Sequence, residues 1–145
     1  MNIILPPHKK QSVPVKEMTD EIKKDIDEMK ILINKNEFTN GQKGYAVAHC
    51  QVSKNPLRIF VCVDGLFDGT VVINPKILEK SELFTAVESC LSFPFRKGIK
   101  VKRFNRIKVS YYNENMEEIT TELTGILSQI FQHEIQHFNG GNIYQ

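Results

Sequence analysis

The amino-acid sequence predicts a single α+β domain, and three observations predict it. Apolar residues across positions 15–33 recur at steps of three and four, the mark of an amphipathic helix. From position 44 to 123 the pattern changes to short β-branched runs separated by Asn-Pro and Asp-Gly pairs, the mark of strands and turns. Helical spacing then returns over residues 125–138. One helix, a run of strands and a closing helix is the order of an α+β fold. A chain of 145 residues, 41% of them hydrophobic, can bury its own core without a disulfide or a metal.

The first helix is expected over residues 15–32, with Val15, Met18, Ile22, Ile26, Met29 and Ile33 on its inner face. Pro14 stands just before it, where a missing amide hydrogen costs little. Strands are expected at residues 44–52, 57–63 and 70–77, bounded by turns at Asn55-Pro56, Asp64-Gly65, Asp68-Gly69 and Asn74-Pro75. Further strands are expected at 88–93, 100–106, 107–112 and 118–123, the last two joined by a hairpin turning at 113–116. The closing helix runs into Asn139-Gly140-Gly141, a left-handed stop. No repeat or low-complexity linker divides residues 1–145, so they read as one domain.

Composition excludes several function classes. Nineteen Lys and Arg against 17 Asp and Glu leave a net charge of +2, and there is no tryptophan to stack bases on. Nucleic acid is not the expected partner. Uncharged stretches such as residues 89–95 and 123–132 fall far short of a membrane span. The N-terminal apolar residues have no basic region ahead of them and meet Pro6-Pro7, so no secretory or transit signal is expected there. Cys50, Cys62 and Cys90 are odd in number and irregular in spacing, which points to a reducing cytoplasm rather than a disulfide framework.

The chemistry lies in the last helix, in His133-Glu134-Ile135-Gln136-His137. Residues four apart share a helical face, so both imidazoles can reach one metal ion. A carboxylate one residue on can take a proton from water at that metal. Ile126, Ile130, His133 and His137 stand at i, i+4, i+7 and i+11, which places both histidines on the apolar, inward side. A Glu buried between two histidines is costly without a cation, which favours a metal over a pair of ordinary core histidines.

Such a site needs three protein ligands and one open position. Only residues 138–145 follow His137, too few for a downstream Glu, and the third-His position of the longer H-E-x-x-H-x-x-G pattern is Ile143. The third ligand is therefore expected upstream. His8 lies in a polar arm, and Cys62 sits in an apolar strand. His49 and Cys50 are neighbours on an expected strand and face opposite ways. A thiolate suits zinc or ferrous iron, so Cys90 leads and Cys50 follows.

Three motifs in order, spread over nearly the whole chain, resemble those of the peptide deformylase family. G-x-G-L-A-A-x-Q is matched loosely by Gly44-Tyr45-Ala46-Val47-Ala48-His49-Cys50-Gln51, E-G-C-L-S by Glu88-Ser89-Cys90-Leu91-Ser92, and H-E-x-x-H by the helix motif. Ile73-Asn74-Pro75, Val101-Lys102-Arg103 and Gln132 are further points of similarity. The resemblance implies strands packed around a central helix that carries the histidines. It implies Cys90, His133 and His137 as metal ligands, Glu134 as general base, and Gln51 with the Leu91 backbone N–H as oxyanion donors. Glu88 and Arg103 are implied to pair and orient the cysteine strand. The implied cofactor is one divalent metal, ferrous iron in the cell, with zinc, nickel or cobalt able to take its place. The implied reaction releases formate from N-formylmethionyl peptides of newly made proteins.

The first motif supplies Gly44, Tyr45 and Ala46 as expected substrate contacts. Ile126 and Ile130, two turns and one turn before His133, are the expected pocket for the methionine side chain. The sequence also departs from the family pattern. Ala46 replaces the second glycine, His49 the second alanine, Ser89 the glycine before the cysteine, and Gln136 an aspartate. These changes bear on substrate affinity and subsite preference more than on the reaction. Many bacterial members continue into a further helix associated with ribosome docking, whereas this chain stops at Gln145, as the short phage-encoded members do. Ribosome contact is accordingly expected to be transient. The alternatives are a non-catalytic or weakly active formyl-peptide-binding relative and, less favoured, a metal-dependent peptidase.

Overall fold

The computed structural model describes residues 1–4, 10–35, 44–67, 70–88 and 98–140. Helix α1 (Asp20–Asn34) is followed by strand β1 (Ala46–Ala48), a 3-10 turn (His49–Gln51), and strands β2 (Ile59–Cys62), β3 (Val71–Glu88), β4 (Ile99–Tyr112) and β5 (Glu118–Thr124). Helix α2 (Gly125–Phe138) closes the order. Each strand pairs antiparallel with the next, so the five form a meander in chain order. The two edge strands, β1 and β5, both touch α2, and β4 packs on it as well. The sheet therefore curls around the closing helix, in the α+β architecture that the sequence predicts.

Strand alternation places a helix on each face of the sheet. Ala46, Ala48, Phe60, Cys62 and Val72 join Ile130, Phe131 and Phe138 of α2 in one buried cluster. Their neighbours Val47, Ile59, Val61, Val71 and Ile73 join Ile26, Met29 and Ile33 of α1 in another. With both faces covered, β2 is buried at all four positions, which is why it reads as an unbroken apolar run. Phe131 is the hub of the first cluster. Its ring meets Phe60 edge-on at 4.9 Å, Tyr111 at 5.7 Å and Phe67 at 6.0 Å.

Several expected boundaries move; the strand expected at 70–77 runs on to Glu88 as β3, and four further changes have tertiary reasons. Helix α1 begins at Asp20, capped by Thr19, whose Oγ1 accepts from the Ile22 N–H at 3.2 Å. Val15 keeps the apolar spacing but stays outside the helix. Its N–H donates to Asn74 Oδ1 at 2.9 Å and its carbonyl accepts from Asn74 Nδ2 at 2.8 Å, which holds it extended against the sheet. Asn74-Pro75 is accordingly not a turn but a bulge inside β3. Ile73 faces Tyr112 while Lys76 faces Ser110, and a second slip follows between Ile77 and Glu79. Asn74 takes the left-handed φ of +51° that the bulge needs, a conformation Asn tolerates.

The expected strands at 100–106 and 107–112 are one strand, β4, paired without a break through Arg106 and Ile107. The expected strand at 44–52 ends at Ala48, and the next three residues form the 3-10 turn. The hairpin at 113–116 stands as expected, with Asn113 Oδ1 accepting from the N–H groups of Asn115 and Glu117, both at 3.0 Å. The closing helix keeps its expected bounds. It enters through Gly125 at φ +62° and stops at Gly140 at φ +78°. The Asp68-Gly69 turn, the strand beyond Glu88, Gly141, and the sites His8, Cys90 and Leu91 lie outside the described residues.

Candidate active site

Helix α2 is registered on β4 by polar side chains along one row. Strand β5 pairs with β4 only from Arg106 onward, which leaves the outward backbone of Phe104 to be satisfied elsewhere. Gln132 does so with both ends of its amide. Its Oε1 accepts from the Phe104 N–H at 2.9 Å and its Nε2 donates to the Phe104 carbonyl at 2.7 Å. One turn earlier, the fully buried Ser128 donates to the same carbonyl at 2.6 Å. One turn later, Gln136 Oε1 accepts from Arg103 Nη2 at 3.1 Å. The residue that replaces the family's aspartate thus keeps an acceptor for Arg103 and gives up only the charge.

The row beside it carries the histidines, with ring centroids 5.2 Å apart. Arg103 grips the Glu88 carboxylate with two hydrogen bonds, Nε to Oε2 at 2.9 Å and Nη2 to Oε1 at 2.7 Å. Glu88 Oε1 also lies 2.9 Å from His133 Nδ1. Burial alone would raise the Glu88 carboxyl, but the hydrogen bonds from His133 and Arg103 outweigh it and bring it down to about 2. The ionised carboxylate accepts from Nδ1–H, which puts the lone pair of His133 on Nε2, the arrangement of a metal-ligating imidazole.

Glu134 lies between the histidines in sequence and is 5% exposed. Its Oε2 is buried without a hydrogen-bond partner among the described residues. Burial pushes the carboxyl up to about 7, with the Glu88 charge adding to the rise while His133 and Arg103 oppose it. A carboxyl poised there can both take and return a proton near neutral pH. Two histidines on one helical turn, one oriented by a carboxylate, beside a buried and unsatisfied carboxylate oxygen, form a donor set that fits a divalent transition metal. Among the described residues no three His, Cys, Asp or Glu side chains converge as a complete cage.

The other expected site residues divide into three groups. Gln51 is 1% exposed, and its Oε1 accepts from the Ala48 N–H at 2.9 Å, which fixes the orientation of its amide. Gly44 is half-buried, Tyr45 is exposed and Ala46 is buried at the head of β1. Ile130 is buried as expected. Ile126 stands on the same helical face but in the first turn of α2, where it is 45% exposed rather than buried with Ile130. Of the alternative ligands, Cys50 packs in the core with its Sγ 3.9 Å from the His137 carbonyl. Cys62 is fully buried, and burial, reinforced by the Glu134 charge, pushes its thiol far up and disfavours a thiolate. His49, expected on a strand, instead opens the 3-10 turn, with both ring nitrogens engaged by Leu57 and Asp25. Its role and those of Ser128 and Gln132 were not legible in the sequence, because their partners lie far along the chain.

A helix-borne histidine pair with an interposed buried glutamate, wrapped in an antiparallel sheet, is the site of a metallohydrolase. A model of the polypeptide deformylase family matches residues 5–145. The peptide deformylase of Thermotoga sp. strain RQ2 is 39% identical over 134 residues, covering 91% of this chain and 76% of that protein. Peptide deformylase 2 of Clostridium acetobutylicum is 36% identical over 132 residues, covering 91% and 83%. The crystal structure of the Thermotoga maritima peptide deformylase superposes with a TM-score of 0.84 at 35% identity, covering 99% of this chain and 94% of that one. A Plasmodium falciparum peptide deformylase solved with an inhibitor gives 0.82 at 31% identity, covering 97% and 85%. The chain belongs to the polypeptide deformylase family. It is a deformylase, a metalloenzyme that removes the formyl group from nascent peptides. The peptidase and binding-module alternatives are not favoured. No helix among the described residues is long and apolar enough to cross a membrane.

Proposed function

We propose that residues 1–145 act as one catalytic domain in which His133, His137 and Cys90 hold a single divalent metal, ferrous iron in the cell, with zinc, nickel or cobalt as substitutes. The observation that carries this reading is the buried, unpartnered Glu134 Oε2 beside a histidine oriented by Glu88. Cys90 stands two residues beyond Glu88, so the chain can carry it no more than about 7 Å from the Glu88 Cα. The metal, when bound, supplies Lewis acidity toward water and the formyl oxygen.

The side chains of the chain do the rest. Glu134 takes a proton from the attacking water as the water oxygen bonds to the formyl carbon of a formylmethionyl peptide. The Gln51 amide and the Leu91 N–H hold the carbonyl oxygen as it gains charge. Glu134 then returns the proton to the departing nitrogen as the C–N bond breaks, leaving formate and a free N-terminus. Gly44, Tyr45 and Ala46 line the peptide, and Ile126 and Ile130 receive the methionine side chain. The exposure of Ile126 suits it to meet a ligand rather than the core. The setting is the cytoplasm, with transient contact at the ribosome and no direct binding of nucleic acid or membrane.

The test is metal content combined with formate release from a formyl-Met-Ala peptide. Cys90→Ala is expected to lose the metal, whereas Cys62→Ala and His8→Ala keep it. Glu134→Gln is expected to keep the metal and lose ~10²–10⁴ in rate, the range for removal of a general base. Stoichiometric metal in the Cys90→Ala protein would overturn the ligand assignment.

A further inference from the structure

We propose that Asp25 and His49 are positioning residues for deformylation, holding the turn that presents Gln51 to the reacting oxygen. The inference rests on the oxyanion role proposed for Gln51. His49 stands where the family motif has alanine, so this tie belongs to the present chain and not to the motif. It is 2% exposed and opens the 3-10 turn that ends at Gln51. Its Nδ1 accepts from the Leu57 N–H at 2.9 Å, so the ring proton sits on Nε2, which donates to Asp25 Oδ2 at 2.8 Å. With both nitrogens engaged, His49 serves neither as ligand nor as base.

The same residue closes the turn through its backbone. The His49 carbonyl accepts from Val52 N–H at 3.1 Å and from Ser53 N–H at 2.9 Å. Within that turn, the Ala48 N–H orients the Gln51 amide, and the Gln51 carbonyl accepts from the Ile4 N–H at 2.6 Å. The imidazole therefore couples the turn to two rigid bodies. One is the entry to β2 at Leu57. The other is α1, where Ile26 and Met29 beside and beyond Asp25 are 1% and 0% exposed. Loss of the Asp25 contact leaves a buried N–H unsatisfied and lets the turn relax, and a displacement of a donor by a fraction of an ångström is felt at the transition state.

Asp25 is the better residue to change, because its side chain is 30% exposed and truncation opens no core cavity. Formate release from a formyl-Met-Ala peptide is measured on the metal-loaded Asp25→Ala, Asp25→Asn, Gln51→Ala and doubly substituted Asp25→Ala/Gln51→Ala proteins. Asp25→Ala is expected to lower kcat about tenfold with KM unchanged, a fraction of the ~10²–10³ that loss of a whole oxyanion donor costs. Asp25→Asn restores kcat, since its amide oxygen still accepts from Nε2–H. In the Gln51→Ala background the Asp25→Ala change costs nothing further. An impaired Gln51→Ala protein beside a fully active Asp25→Ala one overturns the proposal. So does an Asp25→Asn protein as slow as Asp25→Ala, or an additive loss in the double variant. Full kcat in Gln51→Ala would instead remove the oxyanion role itself, and the positioning with it.

Discussion

Replacing Glu88 by glutamine separates a buried charge from a buried shape. The side chain keeps its volume and one acceptor, but it loses the charge that faces Arg103 and the second acceptor oxygen. Arg103 and Glu88 side chains are only 9% and 5% exposed, so water does not replace the lost partner. Removing one member of a buried pair typically costs about 3–5 kcal/mol, and the retained amide oxygen puts Glu88→Gln near 3 kcal/mol. The carboxylate also accepts from His133 Nδ1 at 2.9 Å, a neutral amide is a weaker acceptor there, and substitution of such an orienting partner typically costs about 10–100-fold in metal affinity. Urea unfolding of the metal-free protein measures the first quantity, and competition with a chelator measures the second. Glu82→Gln is the control, because the Glu82–Arg106 pair has the same chemistry at 53% and 49% exposure and is expected to contribute nothing measurable. The acid dependence has a definite sign. The Glu88 carboxyl titrates near 2 in the folded chain against an ordinary 4.5, so its contribution is present above about pH 4.5 and is lost as the pH falls toward 2. The gap between wild type and Glu88→Gln therefore narrows across that window. A Glu88→Gln protein as stable as wild type at pH 7, with metal affinity unchanged, would refute the reasoning.

Two further outcomes are expected. Phe131→Ala removes the ring on which Phe60, Phe67 and Tyr111 converge and is expected to destabilise the chain by about 3–5 kcal/mol in urea, a loss that Phe131→Leu largely avoids. Equal losses for the two would show that the aromatic contacts, not the filled volume, are what matters there. Ile130→Ala is expected to raise KM and blunt the preference for Met over Ala at the first residue of formyl peptides; proportional losses on both substrates would assign Ile130 to the core alone.

Features governed by near neighbours were legible in the sequence. The bounds of α2 follow from a 3.6-residue period and from glycines that take the left-handed conformation at each end. The four-residue spacing alone puts His133 and His137 on one helical face, and Asn113 makes its own turn with residues two and four further on. Tertiary structure decided the rest, because hydrogen bonds between distant residues leave no period to read. Val15 has helical spacing, yet Asn74, 59 residues away, pins it outside α1. The polar run across residues 79–82 has no strand pattern and becomes strand because β4 supplies its partners. Asn74-Pro75 has turn chemistry and becomes a bulge, since the pairing on either side is strong enough to carry the chain through it. At the site, the resemblance implies that Glu88 and Arg103 pair, but only the fold sets the same carboxylate against His133 Nδ1 as well. Burial raises both carboxyls, and it is the partners that draw them apart: Glu88 is hydrogen-bonded by His133 and Arg103, whereas Glu134 Oε2 has no partner among the described residues.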